Sequence, residues 1–497
     1  MLSNNGVTTN MYFSKFSVLA AAIALTGCAA HPVALSMADR KATLAEDQQA
    51  MFSGQQAVQG PISLEEVMAR ALKYNLDSRV KLMEEAVAQR QLDLSNFDLL
   101  PKLIADAGYS RRSNILGSSS RSVQTGQQSL EPSTSTDTNV RTADLNLSWN
   151  ILDFGVSYFG AKQQADRVLA LQERRRKVVQ LLMQQSREAF WQAAGAQRLQ
   201  DRIDPLLTRA RQAMDDSRKI ENGNLKAPLE ALAYQRELLE LILQFENLRD
   251  QLSQAKPKLA ALMNLEPGKP YELAIPEMAE ELPINIAPDR MEETALLNRP
   301  ELVEARYNER IGLNETHRAM AKLFPGVELS FGQYYDSNSY LVNNTWNNAG
   351  IRVSWNLLNL LNAGHIKAAA KAQFEVAREQ RLAANIAVLT QVHVAWVDFA
   401  SRKQQFKLVR ELSGVEQRML EHTRNAAAMN AQGQLVEIRA ATSALMSELR
   451  LYQSYSAYQG AYGQMLATLG IDPVPNAQNN DSLNKLVETI RAQSTHP

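Results

Sequence analysis

The chain has 497 residues, with 53 Lys+Arg against 53 Asp+Glu and a mean hydropathy of −0.31. Zero net charge excludes the electrostatic footprint of a nucleic-acid binder and an acidic tail, and six scattered histidines (His31, His317, His365, His393, His422, His496) offer no metal-ligand spacing. The length allows several domains, but the apolar residues are dispersed and form no run near the roughly 20 residues of a membrane-spanning helix, so a membrane crossing by this chain would use strands.

The amino terminus carries the one strong apolar run, Phe16 to Leu25, preceded by Lys15. It has the length of a signal h-region. It ends in Leu25-Thr26-Gly27-Cys28, and Cys28 is the only cysteine. A sole cysteine makes no internal disulfide, and the run resembles a bacterial lipobox. That resemblance implies a signal peptide over 1–27, lipidation of Cys28 and, with Ala29 and Ala30 following, sorting to the outer membrane. More than one acyl chain is needed for stable anchoring. Residues 28–60 are polar and aperiodic and read as a linker.

Two halves then run in parallel. Ala71 to Leu76 matches Ala295 to Pro300, Leu99-Leu100-Pro101 matches Leu323-Phe324-Pro325, and Trp149-Asn150-Ile151-Leu152-Asp153 matches Trp355-Asn356-Leu357-Leu358-Asn359. Ala189-Phe190 matches Ala395-Trp396, and Leu229-Glu230 matches Val436-Glu437. The offset is 224 at the prolines, 206 at the tryptophans and 207 at the glutamates, which places one insertion between Pro101 and Trp149. The unit is domain-sized, far longer than a solenoid period. The expected organisation is a first repeat over 61–265, a linker over 266–290, a second repeat over 291–470 and a polar tail over 471–497.

Each repeat reads helix, strand pair, long helices. Strands are expected at about 102–153 and 326–357. Leu145, Leu147 and Trp149 alternate with Asp144, Asn146 and Ser148, and Leu329 and Phe331 alternate with Glu328 and Ser330. Period two gives each strand one apolar and one polar face, as in half-buried soluble sheets and in transmembrane barrels. The Ser/Asn-rich tips Arg111 to Arg141 and Asp336 to Asn347 suit loops facing the cell exterior, with tags near Ser119 and Asn338 expected to be accessible. Long helices follow over Tyr158 to about Glu221 and His365 to Met429, with return segments Pro228 to Leu262 and Val436 to Leu469. About 65 helical residues span about 95 Å. Ile386, Leu389, His393 and Trp396 step by three and four, as do Val178, Leu182, Ala189 and Ala193, which predicts coiled-coil seams in the core. Four strands cannot close a barrel, and open edges in lipid are not tolerated, so a barrel must combine chains. Two chains would fill their interior with side chains, and three would leave a lumen.

With these motifs in order, residues 62–470 resemble the TolC outer-membrane efflux family, and more closely its lipoprotein, OprM-like branch. The carriers are Leu296 to Glu301, Trp149 to Gly155 and the Leu-Glu and Val-Glu turns at 229–230 and 436–437. The resemblance implies a long α-helical coiled-coil barrel continuous with a transmembrane antiparallel β-barrel, four strands per chain and twelve in a homotrimer. It implies a location in the outer membrane reaching into the periplasm. The implied partners are a periplasmic adaptor, an inner-membrane transporter and outer-membrane lipid. The expected function is the passive exit duct of a tripartite efflux or type I export system; the alternative is a periplasmic coiled-coil scaffold lipoprotein. No phosphate loop, Gly-x-Ser-x-Gly elbow or His-Glu-x-x-His appears, so no enzyme, cofactor, metal or nucleic-acid role is expected.

Two departures stand out. The run Trp355 to Gly364 stretches the usual tryptophan-to-glycine spacing. Of two mouth acids implied three residues apart, Glu437 matches the first and Ala440 stands at the second. The expected pore gate comprises Glu437, Arg439 and Glu230. Three copies of Glu437 near one axis would raise one another's pKa and draw cations, while Arg439 pairs with a neighbouring helix. Glu230, next to Pro228, is better explained as a first-turn acid favoured by the helix dipole, a reading that competes evenly with the mouth role at Glu437.

Overall fold

The structure is a computed structural model that describes residues 32–222, 228–284, 286–428, 434–472 and 481–495. The signal region and Cys28 lie outside these residues. The chain divides between Gln55 and Gln56 into two units. The first contains α1 (Met37–Met51), a helix where the sequence predicts only linker. The Ser36 hydroxyl accepts the Asp39 N–H, and the Asp39 carboxylate accepts the Ser36 N–H. This capping box starts the helix without an apolar stripe.

In the second unit the repeats are α2 (Leu64–Tyr74), α3 (Leu76–Phe97), β1 (Lys102–Arg111), β2 (Asn139–Asn150), α4 (Ile151–Asn222) and α5 (Pro228–Leu262), then α6 (Pro288–Asn298), α7 (Pro300–Ala321), β3 (Gly326–Asp336), β4 (Thr345–Ser354), α8 (Leu358–Leu361), α9 (Ala363–Ala428) and α10 (Gln434–Thr468). Both repeats break their leading helix at the same place. Asn75 and Arg299 each take an extended conformation with ψ 127°. Asn75 restarts the helix by accepting the Ser78 N–H, and Pro300 restarts the other from its first position.

The four strands form one antiparallel sheet in the order β1-β2-β3-β4, with β2 and β3 joining the repeats. The insertion inferred from the offsets is the β1–β2 loop, residues 112–138, against 337–344 between β3 and β4. The helices repeat the strand order. Near the sheet α3 packs on α4, α4 on α7 and α7 on α9; further away α5 packs on α4, α4 on α10 and α10 on α9. Helix α4, at 72 residues, is about 108 Å long and α9, at 66, about 99 Å.

The main core joins α4, α5 and α10. Trp191 meets Tyr455 edge-on at 4.4 Å between centroids, and both are buried. Three tyrosines of α10 then fix the inter-repeat linker. The Ala279 N–H donates to Tyr455 Oη (2.9 Å), the Leu282 N–H donates to Tyr458 Oη (3.2 Å), and Tyr462 Oη donates to Pro283 O (3.1 Å). Burial pushes the Tyr458 phenol up to about 12, so these hydroxyls stay protonated.

Two expectations are corrected. Residues 471–497 are not simply a polar tail: Leu483, Leu486 and Ile490 of α11 (Leu483–Thr495) step by three and four and pack with Met68, Ala71 and Leu182. And the stripe Ile386, Leu389, His393, Trp396 is not core. Within the chain α9 buries Val388, Val392, Ala395 and Phe399, while Ile386, Val394, Trp396 and Val397 are exposed. Apolar on two faces, α9 contains one 18-residue window apolar enough to cross a membrane by length and composition. Its buried stripe packs on Met465, Leu469 and Leu302 of the same chain, and Asn385, Gln391, His393 and Asp398 interrupt the window.

Candidate functional site

The sheet is inside out for a soluble protein. Along β2, Ala143, Leu145, Leu147 and Trp149 are exposed, while Thr142, Asp144, Asn146 and Ser148 are half-buried. Along β3, Leu329, Phe331 and Tyr335 are exposed and Glu328, Ser330 and Asp336 half-buried. Register aligns these faces across the sheet. Leu103, Leu147, Phe331 and Ala349 form one outward row, and Lys102, Ser148, Ser330 and Gly350 one row on the opposite face. Water favours the reverse arrangement; an apolar solvent outside and a wet interior favour this one. Among the described residues, neither β1 nor β4 has a second neighbour.

The Trp-Asn pair found in both repeats has a local cause at the junction of sheet and helix. Trp149 faces outward, while Asn150 Oδ1 accepts the N–H groups of Leu152 (3.0 Å) and Asp153 (3.3 Å) and so starts α4. Asn356 Oδ1 likewise accepts the Leu358 N–H (3.1 Å). In the first repeat the helix follows the strand directly. In the second, the stretched spacing forms the extra turn α8 before α9.

At the far end of the helices, Glu437 lies in the first turn of α10. It accepts two hydrogen bonds from Arg209 of α4, Nη1 to Oε1 at 3.0 Å and Nη2 to Oε2 at 2.7 Å. The Arg209 hydrogen bonds, helped by the charges of Arg209 and Arg424, hold the Glu437 carboxyl below its usual range. This is the opposite direction to the mutual raising expected of a ring of free acids. Arg439 forms an ion pair with Glu237 of α5. Glu437 and Arg439 therefore tie α10 to both helices of the first hairpin, above a small core of Leu206, Leu420, Ala441 and Ala444. The backbone of Glu230 lies in the first turn of α5; its side chain lies outside the described residues. The partners Arg209 and Glu237 were not marked by any motif.

Several solved outer-membrane channels superpose on this chain. The outer-membrane channel OprN superposes with a TM-score of 0.62 at 18% identity, over 82% of this chain and 89% of that one. The CmeC outer-membrane channel of Campylobacter jejuni gives 0.65 at 14% identity, over 89% and 94%. The fold is that of the TolC-family outer-membrane efflux channels. The outer-membrane protein VceC of Vibrio cholerae, at 0.60 and 15% identity over 82% and 96%, shares it. No family model and no curated protein sequence matches the chain. The TolC-type fold gives the inside-out sheet and the paired hairpins a common frame: strands at one end, helical tips at the other.

Proposed function

We propose that the chain is one protomer of an outer-membrane exit channel, the passive duct of a tripartite efflux or type I export system. The observation that carries this reading is the four-stranded sheet with an apolar outer face, a polar inner face and two unpaired edges. Each edge continues into an exposed apolar helix stripe. Val80, Met83, Val87 and Leu94 of α3 lead into β1, and Ile386, Val394 and Val397 of α9 follow β4. Antiparallel pairing of β4 with the β1 of a second copy sets these two stripes side by side. Three copies close twelve strands around a lumen. An acylated Cys28 adds a lipid anchor, and a periplasmic adaptor and an inner-membrane transporter supply cargo and energy at the helical tips.

In this reading the tip is shut by the pairs Arg209–Glu437 and Glu237–Arg439, with Glu230 on the rim. Because Arg209 occupies Glu437, closure rests on ion pairs rather than on a ring of free carboxylates. Reconstitution into planar bilayers tests the duct. Discrete conductance steps, with heat-modifiable mobility on gels, are expected. A helical protein that extracts as a soluble species and never conducts would instead be the periplasmic scaffold.

A further inference from the structure

The inserted turn at the base of the second strand pair has no counterpart in the first repeat, and the duct alone does not call for it. Its sequence is Asn356-Leu357-Leu358-Asn359-Leu360-Leu361-Asn362. At about 100° per residue, positions three apart drift by only about 60°, so the three asparagines share one side and the four leucines fill the rest. Those leucines are exposed, from 45% at Leu360 to 78% at Leu361. They extend the outward face of β4, where Ile351, Val353 and Trp355 are also exposed.

The corresponding junction of the first repeat is built from aromatics. Trp149 meets Phe154 edge-on at 5.8 Å, Phe154 stacks on Tyr158 at 6.5 Å, and the Lys162 ammonium sits 4.6 Å from the Tyr158 ring. Apolar and aromatic groups giving way to a lysine mark a membrane–water boundary. The second junction keeps this order with other residues, since the leucines are followed along α9 by exposed Lys367 and Lys371.

We propose that Leu357–Leu361 is a lipid-embedded wedge that seats the second repeat in the periplasmic leaflet of the outer membrane. The inference rests on the barrel reading. A second copy pairs through the backbone edge of β4, whereas the leucines continue its outward face, so acyl chains rather than a neighbouring protomer are the occupant. The asparagines give the turn a polar side, and Asn356 Oδ1 accepts the Leu358 N–H.

The test places an environment-sensitive NBD label at Leu358→Cys or Leu361→Cys in the full chain. The parent chain, whose only cysteine is Cys28, serves as the blank, and Leu145→Cys on the outer face of β2 serves as the reference. Proteins are reconstituted in phosphatidylethanolamine–phosphatidylglycerol vesicles with or without shallow or deep doxyl lipids. A lipid wedge gives blue-shifted emission at 358 and 361, lost mostly to the shallow quencher, while the label at 145 is lost more to the deep one. Blue-shifted emission at 358 and 361 that neither quencher reduces means contact with a neighbouring protomer and overturns the wedge. Water-like emission there overturns it too. If the label at 145 also escapes quenching, the barrel reading fails, and the wedge with it.

Discussion

Arg209 and Glu437 face each other as a two-pronged ion pair across the first and second repeats, at 3.0 and 2.7 Å. The carboxyl is held below its usual value of 4.5, mainly by the hydrogen bonds from Arg209. A carboxyl whose pKa is lowered in the paired state stabilises that state at pH above its free value and loses the contribution as pH falls through the lowered one. The tip should thus stay shut down to pH below 4.5 and open in stronger acid. Arg209→Ala should remove this acid dependence of closure, because the unpaired carboxyl then titrates alike in both states. Bilayer conductance across a pH series reads this directly, and an unchanged midpoint would place closure elsewhere.

The second pair, Glu237 with Arg439, is half-exposed on the arginine side, so each copy contributes only about 0.2–1 kcal/mol. Arg439→Ala should raise mean single-channel conductance, and the exchange Glu237→Arg with Arg439→Glu should return it towards the parent. An exchange that behaves like the single alanine variant would deny a pairing role.

Helix α4 approaches α10 closely at Gly195, where an added Cβ would lie 2.8 Å from Tyr452 Cβ. Gly195→Ala should destabilise the bundle by about 1–3 kcal/mol through overpacking. Gly414 of α9 faces open space within the chain, and alanine there should stabilise the helix by about 0.8–1 kcal/mol. Thermal melting of the helical circular dichroism signal distinguishes the two. Loss of stability at Gly414→Ala would instead report a neighbouring protomer packed on that face.

The loop tips should be reachable from outside the cell, but not equally. Asn338 is buried: Asp137 N–H donates to its Oδ1 (3.0 Å) and its Nδ2 donates to Ser135 O (3.0 Å). An epitope at Ser119 or after the exposed Val342 should be labelled on intact cells, whereas one at Asn338 should also loosen the clamp between the loops. Labelling only after the outer membrane is broken would reverse the topology.

Mass spectrometry of the mature amino terminus should find Cys28 as the first residue, carrying acyl chains. A mature chain that starts downstream without modification would remove the anchor. Cys28→Ala should then impair sorting more than conductance.

Strands and long helices were legible in the sequence because their signals are local. Period-two alternation marks β2 and β3, and the return helix Pro228–Leu262 has the bounds expected from its composition. Duplication within one chain supplied what one repeat could not, down to the insertion in the β1–β2 loop. What was missed is non-local or subtle. Arg209 lies 228 residues from Glu437, and only the folded hairpins bring them together. Ile386 and Trp396 looked like core because an exposed apolar stripe and a buried one have the same spacing. The stripe of α11 was visible in Leu483, Leu486 and Ile490 but lay in a segment dominated by polar residues.

The two unpaired edges of the sheet have a consequence for how such an object comes into being. A row of copies joined edge to edge keeps one free β1 and one free β4 however many are added; only a closed ring has none. Partial assemblies therefore retain the full hazard of exposed strand edges, and the last joint removes both ends at once. In the proposed ring, closure is all-or-none, and its apparent stability depends on protomer concentration. Overproduction that outruns membrane delivery should yield open, aggregating rows rather than soluble single chains.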